Sequence, residues 1–123
     1  MGQSGIDAVP VDAVVVGASF AGIHMLHKLS EMGFSARVFE RGSDVGSTWY
    51  WNRYPGARCD VQSLQYSYHF SEELQHEWNW SERYSSQAEI LRYAKHVADR
   101  FHLCDHIQFN TQAESAVFDE AQG

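Results

Sequence analysis

Three rhythms of apolar and polar positions run along the chain. Val11-Asp12-Ala13-Val14-Val15-Val16 is a short β-branched run ending at Gly17, the profile of a buried parallel strand. The period then lengthens: Ile23, Leu26, His27 and Leu29 fall near one face, Met25 and Met32 flank it, and Gly33 follows as a stop. That spacing predicts a helix. Ala36-Arg37-Val38-Phe39 reads as a second strand, ending at Glu40. Further on, Ser86-Gln87-Ala88-Glu89 forms a capping box ahead of a one-sided apolar face made by Ile90, Ala94, Val97, Ala98 and Phe101; this predicts a structural helix. Ile107 to Thr111 alternates like a strand, and Ala113 to Phe118 like another. With residues 119–123 opening a turn, the sequence is expected to stop in mid-hairpin, leaving a strand edge unpaired.

Gly17-Ala18-Ser19-Phe20-Ala21-Gly22 joins the first strand to the first helix. Strand, Gly-rich turn, helix, strand and acidic residue thus follow one another within about thirty residues, the arrangement that binds a dinucleotide. The first glycine allows the tight turn, the third lets helix and strand pack closely, and the helix N-terminus faces the pyrophosphate. Glu40 stands 18 positions after Gly22, where a carboxylate can accept the ribose hydroxyls. The second glycine position holds Ser19. Its side chain crowds the point of closest backbone approach, while its hydroxyl can donate to a phosphate oxygen, so binding is expected to be retained but weakened.

A second stretch, Gly46 to Asp60, is too broken by Gly and Pro for a helix or strand. It combines Trp49, Tyr50 and Trp51 with Arg53, a Tyr54-Pro55-Gly56 turn, Arg58 and Asp60. Flat apolar faces beside guanidiniums and a carboxylate suit a large planar ligand that carries phosphate.

Composition narrows the classes. The 123 residues make one domain, and a net charge of −7 with no basic stripe argues against nucleic acid. Cys59 and Cys104 stand 45 positions apart without companions; they form no disulfide framework and favour a reducing, cytoplasmic setting. Neither a secretory signal nor an apolar run of membrane-spanning length is present in the sequence. His102, Cys104, Asp105 and His106 cluster, but no second group supplies the remaining ligands, so no metal site is expected.

From Asp44 to Asp60 the residues Gly46, Trp49, Tyr54, Pro55, Gly56 and Asp60 match a motif of type I Baeyer–Villiger flavin monooxygenases, with Ser47 where that family has glycine. The resemblance continues through Tyr66-Ser67-Tyr68, Glu77 to Tyr84 and Glu89 to Tyr93, reaching Phe101, and is most similar to the phenylacetone and steroid monooxygenase branch. It implies an α/β fold: a Rossmann-like FAD-binding βαβ unit, incomplete, forming residues 11–123 after an arm at 1–10. It also implies FAD and NADPH as cofactors, a ketone and O₂ as reactants, and an ester or lactone as product. Carried over residue by residue, Gly17, Ala18, Ser19, Phe20 and Gly22 would cradle the pyrophosphate and Glu40 would hold the ribose. Gly46, Ser47, Thr48 and Trp49 would border the flavin side, Tyr66 would reach it, and Ala113 would meet the adenine. Arg58, Cys59 and Asp60 would lie beside the flavin and nicotinamide, with Asp60 the catalytic candidate that orients an arginine. That arginine, the second Gly-rich turn for NADPH and a further family motif lie outside these residues, so the isolated chain is expected not to turn over. Another flavin monooxygenase or hydroxylase, or a non-catalytic nucleotide-binding remnant, stays open.

Overall fold

A computed structural model describes residues 10–122; the expected arm at 1–10 falls, apart from Pro10, outside the described residues. Three parallel strands lie in the order β1 (Ala13–Val16), β2 (Ala36–Phe39), β3 (Ile107–Gln108). β1 pairs with β2 from Ala13↔Ala36 to Val16↔Phe39, and β2 with β3 at Val38↔Ile107 and Phe39↔Gln108. Parallel neighbours need a crossover, and α1 (Phe20–Glu31) supplies it between β1 and β2.

α1 begins earlier than its apolar period suggests, inside the Gly-rich turn. Ser19 is its N-cap, with Oγ accepting the Gly22 N–H at 3.2 Å. The helix ends where Gly33, at φ +85°, donates its N–H to Ser30 O. Two short helices follow, α2 (Thr48–Trp51) and α3 (Glu72–Glu77), with a 3-10 turn at Ser63–Tyr66 between them. α4 (Gln87–Arg100) is the long helix expected after Ser86. Only half of its capping box forms. Ser86 Oγ accepts the Glu89 N–H, but the Glu89 carboxylate turns to Ser81 instead, taking its N–H at 2.9 Å and its hydroxyl at 2.8 Å.

The core is a single apolar cluster between the sheet and α1 and α4. Ile23 and Leu26 of α1, Val38 of β2, Ala94, Val97 and Ala98 of α4, and Leu74, Leu103 and Ile107 are all buried in it. Tyr93 is buried there too; its hydroxyl accepts the Tyr68 N–H at 2.8 Å, which spares both groups the cost of burial without a partner.

Three expectations need correction. β1 is not buried on both faces: Val15 packs on the core, whereas Val14 and Val16 are 54% and 70% exposed. Val15 shares its cluster with the buried residues of α1 and α4, while Val14 and Val16 stay open, so the strand's β-branched run covers every second residue only. Nor do residues 113–118 form a strand, and there is no hairpin among the described residues. Val117 and Phe118 are 88% and 73% exposed. Alternation favours a strand only where a neighbouring strand accepts its hydrogen bonds, and here none does. The third strand is also cut short at Gln108, because Asn110 takes φ +55° and sends its N–H to Gly42 O, while the Thr111 N–H goes to Glu40 O.

Candidate dinucleotide-binding site

The carboxyl ends of parallel strands are where open α/β sheets bind ligands. A cleft of ≈ 250 Å³ lies there, lined by Val16 at the end of β1 and Gly17 after it, Glu40 and Arg41 after β2, Ser47 and Trp51 from the aromatic stretch, and Ala113. Four of the residues named from sequence, Gly17, Glu40, Ser47 and Ala113, therefore meet in one place. Ala113 arrives because the bonds from Asn110 and Thr111 tie its segment to the loop after β2.

The Gly-rich turn is tightly made. A Cβ on Gly22 would stand 2.0 Å from the Gly17 carbonyl oxygen, so only glycine allows this approach of helix to strand. Ala18, fully buried, donates its N–H to Glu40 Oε1 at 2.8 Å, and Gly42 donates its own to Oε2 at 2.6 Å. Each carboxylate oxygen keeps lone pairs for further donors. Glu40 thus links the two loops that flank the cleft while remaining able to accept ribose hydroxyls. Ser19 Oγ, acting as acceptor in its cap, keeps its own proton to donate.

The flavin-side candidates assemble differently. Gly46 sits at φ +121° with its Cβ position 2.6 Å from Leu91 Cδ1, so a side chain would collide with α4. Its N–H reaches Ala18 O at 3.0 Å, which fastens the aromatic stretch to the Gly-rich turn. Trp49 meets Tyr66 edge to face at 5.8 Å, and Tyr66 meets Phe20 likewise at 5.7 Å. The Gln87 side chain holds the Trp49 carbonyl from α4, and the Tyr68 hydroxyl donates to the Phe20 carbonyl. Burial pushes the Tyr66 phenol up, and Cys59 and Asp60 nearby add to the effect. Thr48 is exposed at the start of α2.

Arg58, Cys59 and Asp60 do not join the cleft. Arg58 donates to Tyr84 O at 2.8 Å and pairs with Glu82 at 3.5 Å. Cys59 is buried, its thiol directed to Val61 O at 3.1 Å, and Asp60 is exposed. Conversely, Arg41 lines the cleft without having been singled out, beside Trp51, which was named only as a ring of the aromatic stretch; the Arg41 guanidinium lies 5.0 Å from the centre of the Trp51 ring, a cation–π contact. The signal was present in an arginine directly after the acidic residue and a third ring in the aromatic run. Their meeting depends on a turn of chain that periodicity does not encode.

The model of the NAD(P)-binding Rossmann-like domain matches residues 15–81, more than half of the chain. The chain belongs to the NAD(P)-binding Rossmann-like domain family. Among its relatives, this Rossmann-like chain is 50% identical to a phenazine N-monooxygenase of Lysobacter antibioticus over 93% of its own length and 21% of the relative's. It is 45% identical to a Baeyer-Villiger monooxygenase of Pseudooceanicola batsensis, over 91% of the chain and 21% of the relative. Among solved structures it matches an oxidized steroid monooxygenase bound to NADP with a TM-score of 0.89 and 58% identity, covering 90% of this chain and 21% of that one. The relatives are thus Baeyer–Villiger and other flavin monooxygenases, as the motif comparison expected. The chain spans about a fifth of the length of the curated relatives it matches. Among the described residues, no helix is long and apolar enough to cross a membrane.

Proposed function

We propose that this chain supplies the FAD-binding portion of an NADPH-dependent flavin monooxygenase that inserts oxygen beside a ketone carbonyl to give an ester or lactone. The observation that carries the reading is the cleft itself, where Gly17 and Glu40 meet at the carboxyl ends of β1 and β2. Gly17, Ala18, Ser19 and Gly22 would face the pyrophosphate, Glu40 would accept the ribose hydroxyls, and Ala113 would border the adenine. Phe20, Trp49 and Tyr66 would screen the flavin end from water with their ring edges. Bound FAD supplies the redox chemistry with O₂; this chain's residues hold and orient it. Asp60, exposed and near Tyr66, would act by orienting a cation supplied from elsewhere. The NADPH site would lie mostly outside these residues. A cytoplasmic setting is part of the reading, supported by the two free cysteines, Cys59 and Cys104.

A second reading, oxygenation of an aromatic ring nitrogen, draws on the relative named a phenazine N-monooxygenase. Both readings need the same flavin site. A flavin titration of the chain, followed by fluorescence quenching, tests it: FAD binding that Glu40→Ala weakens supports the site, and FAD binding indifferent to Glu40→Ala overturns it.

A further inference from the structure

We infer that Glu89 of α4 is a positioning residue for Asp60, fixing through Ser81, Ser85 and Ser63 the loop that presents it. The inference rests on the reading of Asp60 given under the proposed function. Glu89 is 5% exposed, and a buried carboxylate is costly unless its oxygens are hydrogen-bonded. At the third position of a helix, such a side chain ordinarily reaches back to the N-cap N–H. Glu89 forgoes that local bond and takes the Ser81 N–H and hydroxyl, with the Ser85 side chain bordering its carboxylate. Hydrogen bonds to a charged acceptor are the strong ones, so residues 81–85 are fastened to α4.

The same segment carries both feet of the Asp60 loop. Cys59 donates its N–H to Ser85 O at 3.1 Å, and Ser63 donates its own to Arg83 O at 2.7 Å. The hydroxyls of Ser63 and Ser85, both buried, share a hydrogen bond at 2.5 Å, and Ser63 Oγ also lies 2.7 Å from Glu82 O. Arg58 adds its bond to Tyr84 O. These ties all run to residues 82–85, and Glu89 is the buried charge that anchors that segment to the helix. Asp60 stands between the two feet with its side chain exposed, so the backbone of this loop decides where its carboxylate stands. A misplaced loop would cost rate without disturbing the dinucleotide cleft, which is built from other residues.

The test compares Glu89→Gln and Ser63→Ala with the parent, alone and combined with Asp60→Ala, in the whole protein and well below each unfolding midpoint. Glu89→Gln keeps the shape and removes the charge, and Ser63→Ala removes the link to Ser85. Each is expected to lower kcat for ketone oxygenation about tenfold, with KM for the ketone and FAD affinity unchanged. In the Asp60→Ala background neither should cost further turnover, because a residue that acts only through Asp60 has nothing left to position. A merely structural role would not produce that silence. Should Glu89→Gln not fold, Ser63→Ala decides alone. Losses that add in the double variants overturn the proposal, as does a parent-like kcat in the single ones. FAD affinity that falls together with kcat assigns the network to the cofactor site and overturns it as well. Turnover unchanged by Asp60→Ala overturns the role of Asp60 and this inference, leaving the FAD-binding reading intact. A parent protein that binds FAD but oxygenates no ketone overturns the ketone reading, and this inference with it.

Discussion

The Glu40 carboxylate accepts the Ala18 N–H at 2.8 Å, joining the end of β2 to the Gly-rich turn after β1 across 22 positions of chain. Its second oxygen takes the Gly42 N–H. One side chain, 4% exposed, therefore organises both loops of the cleft before any ligand arrives.

Glu40→Ala leaves two backbone donors without their partner. It should lower the unfolding free energy by about 2 kcal/mol or more, measured by urea denaturation. Glu40→Gln can still accept from Ala18 but presents an N–H to the Gly42 N–H. It should lose less stability than Glu40→Ala, and a loss as large would contradict the two-loop role.

Gly22→Ala should be among the most damaging small changes in the chain. Its Cβ would meet the Gly17 carbonyl oxygen at 2.0 Å, and both are backbone positions with little room to give. A loss of about 2 kcal/mol or more is expected from such overpacking, together with lost FAD binding. A Gly22→Ala chain with parent-like thermal unfolding would show that α1 can slide away from β1.

Glu89 predicts a pH dependence. Burial acts to raise its carboxyl, but the Ser81 N–H and hydroxyl, then Ser85 and Arg92, outweigh it and leave the group below its ordinary 4.5. A carboxyl depressed in the folded state stabilises fully above its unfolded pKa, and that stability is lost as pH falls through the folded value. Glu89→Gln should therefore unfold about 1–2 kcal/mol more easily at neutral pH. The gap to the parent should close in the acid range below pH 4.5. Denaturation series at neutral and acid pH would check both the size and the closing.

Asp60 predicts a dissociation of function from stability. The side chain is exposed, so Asp60→Ala should change unfolding by less than about 0.5 kcal/mol and leave FAD affinity as it was. In the whole protein, the same change should lower turnover with ketone and NADPH. Weakened FAD binding in the isolated chain would instead make Asp60 a cofactor ligand.

The β1–turn–α1–β2–Glu40 unit was legible because each of its signals is local. A β-branched run, a helical period and a glycine at a forced contact are all written in neighbouring residues. Ser71-Glu72-Glu73-Leu74 carried a cap signal as well, with Ser71 Oγ accepting the Leu74 N–H at 3.2 Å, yet six residues are too few for a period to declare itself. The expected strand at 113–118 failed for the opposite reason. Its alternation was visible, but a strand exists through its partner.

By itself, the sequence determined the elements whose apolar period or cap is written in neighbouring residues, the acidic residue that follows β2, and the family to which they belong. Tertiary structure alone decided that Val15 is covered while Val14 and Val16 stand open, and that Arg41 stacks on Trp51. It also decided that Arg58 turns to Glu82 and Tyr84, away from the cleft. Local period records how a segment can turn; which distant segment fills its face or takes its charge is settled when the whole chain packs, and no short window of residues contains that choice.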